Sequence, residues 1–152
     1  MPFKNGSFDI VFNTGVLEHF NREEQILMGE EFLRVIKESG YFITANPSSR
    51  GKIYNYGMKI AKEKGIWEFG QENPIKSLDF FRENISGIFS IEELEKDFLS
   101  QLSFLRYSKP IYKFITAPIR RIGSIYPISD IFDFLFSNVL GTYLLISIIK
   151  KK

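Results

Sequence analysis

Apolar positions change period several times along the chain, and each change marks an element. Phe8–Thr14 (FDIVFNT) is short, apolar and β-prone, and the turn signal Asn5-Gly6 precedes it, which predicts a buried strand. Gly15 to Phe20 reads as a loop that bends into a helix. Asn21 is an N-cap residue, and Glu24 three positions on completes a capping-box pattern. Ile26, Leu27, Phe32, Leu33, Val35 and Ile36 then fall broadly on one helical face, up to a C-terminal glycine signal at Ser39-Gly40. Tyr41–Ala45 (YFITA) is a second buried strand, stopped by Asn46-Pro47. Strand, helix and strand within ~40 residues make one βαβ unit, with parallel strands and a right-handed crossover.

Downstream the pattern is less regular. Ile53, Tyr56, Gly57, Ile60 and Ala61 predict a short amphipathic helix ending near Gly65, followed by a loop, GIWEFGQENP, that holds the only Trp. Ser90 opens a capping box, S-I-E-E, which predicts a helix to about Leu99. Leu102–Ser108 reads as a strand closed by Pro110, residues 111–138 as short helices wrapping a face, and Gly141–Lys150 as the last strand. The expected sheet order is 8–14, 41–45, 141–150, 102–108, with 141–150 antiparallel to its neighbours. A rival reading takes Phe134–Ile149, followed by Lys150–Lys152, as a membrane tail anchor. That run contains Ser137, Asn138, Gly141, Thr142 and Ser147, and falls short of the ~20 apolar residues a spanning helix needs.

The length, 152 residues, suits a single domain covering 1–152. With 44% hydrophobic and 25% charged residues, wholesale disorder is excluded. The absence of Cys removes disulfides, thiolate zinc sites and a Cys nucleophile, and a Ser-His-Asp triad would have to use His19, the one histidine. A net charge of +2 argues against a nucleic-acid partner. Residues 1–98 carry 12 Lys/Arg and 16 Asp/Glu, whereas residues 99–152 carry 8 and 2. A basic, aromatic C-terminal third suits an anionic substrate, a peripheral membrane contact or simply a solvated face. The N-terminus, MPFKNGSFD, has no apolar signal-peptide core, so the expected location is cytoplasmic, with membrane association through that C-terminal third.

The stretch MPFKNGSFDIVFNTGVLEHF resembles the region around the fourth strand of class I S-adenosylmethionine-dependent methyltransferases of the type 11 group. Pro2, Phe3, Ser7, Phe8, Asp9, Val11, Val16, Leu17, Glu18 and His19 stand in phase with the family pattern. LRVIKESGYFITANP, FSIEELEKDF and LGTYLLISIIKK resemble the family's following helix and strand, its next helix and its closing antiparallel strand. The resemblance implies an α/β fold: a partial Rossmann-like sheet (family strands 4-5-7-6, the last antiparallel) with helices on both faces. Residues 48–90 and 110–138 would be substrate-cap-like insertions. The family's first half, with its glycine-rich turn and ribose-binding acid, has no counterpart among these 152 residues. The chain is therefore expected to be inactive alone, as a gene fragment or a short protein.

The resemblance also implies a site. Asn13, Thr14, Gly15 and Val16 would line the S-adenosylmethionine pocket, mostly through backbone atoms. Glu18 and His19 are the acid–base candidates, a histidine being suited to take a proton as the methyl group moves. The alternatives are a packing histidine and a plain acid at a helix start. Related O-methyltransferases hold a divalent metal with a further Glu at the position of Gly15, so no metal is expected here. Trp67 and Tyr56 could hold an apolar acceptor, or belong to a satellite core. Arg120 could meet an acceptor's phosphate or carboxylate, anionic lipid, or only water. The acceptor class is a small or lipid-like molecule. A second class of reading is a non-catalytic module that pairs with a partner chain through the exposed edge of the first strand.

Overall fold

A computed structural model describes residues 1–87, 89–108, 112–116, 118–119 and 128–152, without the side chains of 96, 99, 115, 116, 128, 129, 132 and 133. These residues form two compact units. The first comprises Met1–Asn46, Glu72–Leu94 and Leu145–Lys152, and the second Pro47–Gln71 and Glu95–Leu144.

The first unit is built on a four-stranded sheet. Its strands are β1 (Phe8–Thr14), β2 (Ile36–Pro47), β3 (Phe89–Lys96) and β4 (Leu144–Lys151), in spatial order β1-β2-β4-β3. β1 and β2 are parallel, with Val11 opposite Phe42 and Thr14 opposite Ala45. β4 runs antiparallel to β2. The Lys151 ammonium reaches the Ile36 carbonyl where β2 begins, and the Ser48 N–H donates to the Tyr143 carbonyl where β2 ends. Helix α1 (Arg22–Val35) provides the crossover. Its capping box forms as the sequence predicts: Asn21 Oδ1 accepts from the Glu24 N–H, and the Glu24 carboxylate accepts from the Asn21 N–H. Leu33, Phe42, Phe81, Leu145 and Ile149 are among the residues of the core beneath the sheet.

β1, expected as a buried strand, has no fully buried residue and exposes Ile10 and Phe12 on one face, and β2 begins at Ile36 rather than Tyr41. Three further elements differ from the sequence reading. Helix α1 stops at Val35, not at Ser39-Gly40. The N–H groups of Gly6 and Ser7 take the carbonyls of Arg34 and Val35, so the turn before β1 consumes the last helical acceptors. The segment FSIEELEK is strand β3 rather than a capped helix. It fits both patterns, because Ile91 and Glu93 also fall on one face of a strand. Ile91 joins the core, and Glu93 Oε1 accepts from the Leu78 N–H at 2.6 Å. Leu102–Tyr107, expected as a strand, is a 3₁₀-helix. Its period of three sends Leu102 and Leu105 to one apolar cluster and Phe104 and Tyr107 to another.

The second unit gathers α2 (Lys52–Glu63), α4 (Phe98–Gln101), the 3₁₀-helix and α5 (Ile128–Leu140), while the five-residue α3 (Phe80–Asn84) belongs to the first. Because α5 ends at Leu140 and β4 begins at Leu144, the continuous helix over Phe134–Ile149 demanded by a tail anchor is absent. Among the described residues no helix is long and apolar enough to cross a membrane.

Candidate active site

The turn after β1 carries the candidate site of the first unit. Gly15 leaves the strand with φ +64°, a left-handed conformation strained for other residues, and its N–H donates to the Ala45 carbonyl. The chain then makes one 3₁₀ turn over Leu17–His19. Two contacts fix this turn. Leu17 is fully buried in the core, and the buried Gln25 of α1 donates through Nε2 to the carbonyls of Leu17 and Phe20 at 2.9 and 3.0 Å. The short loop and the first helix thereby hold Glu18 and His19 in place.

Glu18 is 2% exposed and its carboxylate lies beside Gly15, where an added Cβ would sit 3.4 Å from Oε1. Glu18 Oε2 is buried with no hydrogen-bond partner among the described residues. Burial raises the carboxyl pKa above its ordinary value and outweighs the lowering by a backbone hydrogen bond and by His19, while Glu72 adds a further push upward. His19 Nε2 stands 3.9 Å from Glu18 Oε1, and the imidazole is partly open to solvent. Glu72 arrives from the segment that re-enters the first unit, where the neighbouring Asn73 N–H donates to the Glu18 carbonyl at 2.7 Å. Donor atoms of Glu18, His19 and Glu72 all lie within 4.8 Å of one another. Two carboxylates and an imidazole are ligand types that could hold a divalent cation.

Glu72 was not legible as a site residue, since 53 positions separate it from His19 and its loop, GQENP, has no pattern beyond turn residues. The Gly15 conformation also accounts for the missing neighbouring acid: a side chain at this positive φ would be strained, even though its Cβ would only touch Glu18.

The candidate cofactor-lining residues sit together at the carboxyl end of β1, with Thr14 and Gly15 exposed and Val16 half-buried. Asn13 starts a polar chain across the sheet: Thr44 Oγ1 donates to Asn13 Oδ1, and Asn46 Nδ2 donates to Thr44 Oγ1 at 2.9 Å. Asn13 Nδ2 and Asn46 Oδ1, one donor and one acceptor, have no partner among the described residues. Carboxyl ends of parallel strands are where open α/β sheets take their ligands.

The acceptor-side candidates belong to the second unit. Trp67 packs with Tyr54, Phe104 and Tyr107, its ring centroid 5.9–6.3 Å from theirs, so the indole joins a satellite core. Tyr56 projects from α2 half-exposed and does not join that cluster. Arg120 lies outside the described residues.

Comparison with known proteins agrees with this architecture. Residues 1–44 match the family model described as a methyltransferase domain. No curated protein matches the sequence. A solved S-adenosylmethionine-dependent methyltransferase from Archaeoglobus fulgidus superposes with a TM-score of 0.54 at 16% identity, covering 99% of this chain and 62% of that one. A second, from Thermotoga maritima and described as a possible histamine N-methyltransferase, gives 0.53 at 16% identity, with 100% and 60% covered. The chain thus spans about three-fifths of the length of these structures and has part of their fold.

Proposed function

We propose that this chain, whose first 44 residues match the methyltransferase-domain family, is the acceptor-side half of an S-adenosylmethionine-dependent methyltransferase that methylates a small-molecule or lipid-like acceptor. The observation that carries this reading is the Asn13–Val16 turn at the carboxyl end of β1, exposed at Thr14 and Gly15, with Glu18 and His19 immediately beyond it. The exposed Gly15 leaves room for a bound group to approach the backbone, and the unpartnered donor and acceptor of Asn13 and Asn46 suit a polar one. S-adenosylmethionine supplies an electrophilic methyl group on a sulfonium. Asn13, Thr14, Gly15 and Val16 line that donor. Glu18 holds His19, and His19 accepts the proton that the acceptor's oxygen or nitrogen gives up as it is methylated. The rest of the rate comes from holding donor and acceptor in line. Tyr56, which stands clear of the satellite core that Trp67 joins, and Arg120 serve the acceptor.

The test joins this chain to the first half of the Archaeoglobus methyltransferase domain. The 152-residue chain by itself, which has no glycine-rich turn, is expected to show no micromolar S-adenosylmethionine binding by calorimetry, and the joined protein to show it. In the joined protein His19→Ala lowers kcat by about 10²–10⁴-fold at unchanged cofactor affinity. A joined, folded protein that binds no cofactor defeats the reading. Loss of folded protein at unchanged kcat makes His19 a packing residue only.

A second reading rests on a separate observation. β1 is an edge strand, and its Ile10 and Phe12 are 56% and 77% exposed. Such an edge suits β-pairing with a partner chain, which could supply the missing strands or replace catalysis by binding altogether. Replacing Phe12 with Lys would then abolish the assembly seen by light scattering.

A further inference from the structure

The sharpest unmet demand in the first unit is at Glu18. Its side chain is buried, and Oε2 has no hydrogen-bond partner among the described residues. An unmatched carboxylate oxygen in a protein interior is costly, and a bound ion is one of the few things that relieve it. His19 does not relieve it, because its Nε2 stands 3.9 Å from the other oxygen, Oε1, beyond hydrogen-bond reach. Glu72 adds negative charge rather than cancelling it, and pushes the Glu18 carboxyl towards its protonated form.

The backbone holds the three side chains together. Gln25 pins the 3₁₀ turn that carries Glu18 and His19, and the N–H of Asn73, next to Glu72, donates to the Glu18 carbonyl. All three residues belong to the first unit, and their ligand atoms lie within 4.8 Å of one another. Two metal–ligand bonds of about 2.0–2.2 Å span atoms up to roughly 4.3 Å apart, so an ion fits between His19 Nε2 and Glu18 Oε1, and a pair at the outer limit closes by about half an ångström. The partly exposed His19 side chain turns that far without disturbing the core. Two carboxylates match the charge of a dication. The imidazole selects a transition-metal ion over Ca²⁺ or Mg²⁺, which favour shells of roughly six or more oxygens.

We propose that Glu18, His19 and Glu72 form a site for a divalent transition-metal ion of the Zn²⁺ type, and that filling it withdraws His19 from proton transfer. An imidazole bonded to a metal through one ring nitrogen carries its proton on the other, and has no lone pair left to accept a second. The site therefore has two exclusive states, a metal-free one in which His19 is a base and a metal-filled one in which it is a ligand. Glu72, which the proton transfer does not use, acts in the second. The metal site goes beyond the methyltransferase reading and stands without it; only the consequence for His19 rests on that reading.

The 152-residue chain is titrated with Zn²⁺ by calorimetry and with Co²⁺ by visible absorption. His19 is the only histidine and Cys is absent, so an imidazole signal has one source. A single equivalent should bind, and the His19 ring-proton resonances should shift with Zn²⁺ and broaden with Co²⁺. Glu18→Gln, His19→Gln and Glu72→Gln should each weaken binding by at least about tenfold, since losing a group that merely supports a ligand already costs about 10–100-fold. His19→Gln, at an exposed position, carries the test if a buried variant fails to fold. No Zn²⁺ binding, binding that survives all three substitutions, or Mg²⁺ binding as tight as Zn²⁺ with the His19 resonances unmoved overturns the proposal. In the joined enzyme Zn²⁺ should lower kcat in step with occupancy, a chelator should restore it, and cofactor affinity should not change; activity that rises with Zn²⁺ overturns the withdrawal of His19. A joined protein that binds S-adenosylmethionine beside a chain that binds no Zn²⁺ overturns this inference and leaves the methyltransferase reading standing; Zn²⁺ binding through His19 without cofactor binding does the reverse.

Discussion

Glu18 is the residue at which folding and chemistry pull apart. A buried carboxylate with one unpartnered oxygen costs stability whenever it is ionised. Its folded-state pKa is raised above 4.5 by burial, so the folded form binds the proton more tightly than the unfolded one. The favourable contribution is complete below the unfolded pKa and disappears as pH rises through the folded value. Glu18→Gln removes this dependence. The variant should melt above the parent at pH 7, and the gap should close as the pH falls towards 4. Melting curves at the two pH values decide it, and a variant less stable at pH 7 than at pH 4 relative to the parent would show that the carboxylate is held by groups that favour its charge. Residues kept in place against their own stability are commonly functional ones. Glu18 and His19 were legible as candidates in the sequence because both lie in one contiguous motif. Glu72 was not, because only the fold carries it to them.

At the scale of elements, local signals succeeded where the partners are local. The cap of α1 depends on Asn21 and Glu24 alone, and it formed as read. Asn21→Ala should therefore cost about 1 kcal/mol in chemical denaturation with an unchanged m-value; no loss would mean that Gln25 and its two carbonyl contacts already fix the turn. The strand β1, the second strand and helix α2 were legible as elements, though β1 is exposed at Ile10 and Phe12 rather than buried and the second strand starts at Ile36. Two segments were not. FSIEELEK satisfies a helix cap and a strand alternation at once, and its pairing with β4, about fifty residues later, decides for the strand. LSFLRYS is apolar enough for a strand, but its residues divide between two apolar clusters at intervals of three, which only a tighter helix can serve. The end of α1 was missed for a similar reason: its last carbonyls are claimed by Gly6 and Ser7, some thirty residues earlier in the chain.

At the scale of the molecule, the sheet order β1-β2-β4-β3 puts the strand latest in sequence between two earlier ones. Leu145, Ser147 and Ile149 of β4 are buried on one face, and Leu145 and Ile149 belong to the core of the first unit. Removing residues 144–152 should abolish cooperative unfolding, measured as loss of the near-ultraviolet circular dichroism transition. A truncated chain that still melts sharply would show that β1, α1 and β2 suffice. The same arrangement bears on how the protein is born. While a ribosome is still making the chain, β2 and β3 have no neighbour between them, and their open edges face other nascent proteins. Folding of this sheet must await the synthesis of β4, so the interval between the emergence of β3 and of β4 from the ribosome is when the chain most needs a chaperone.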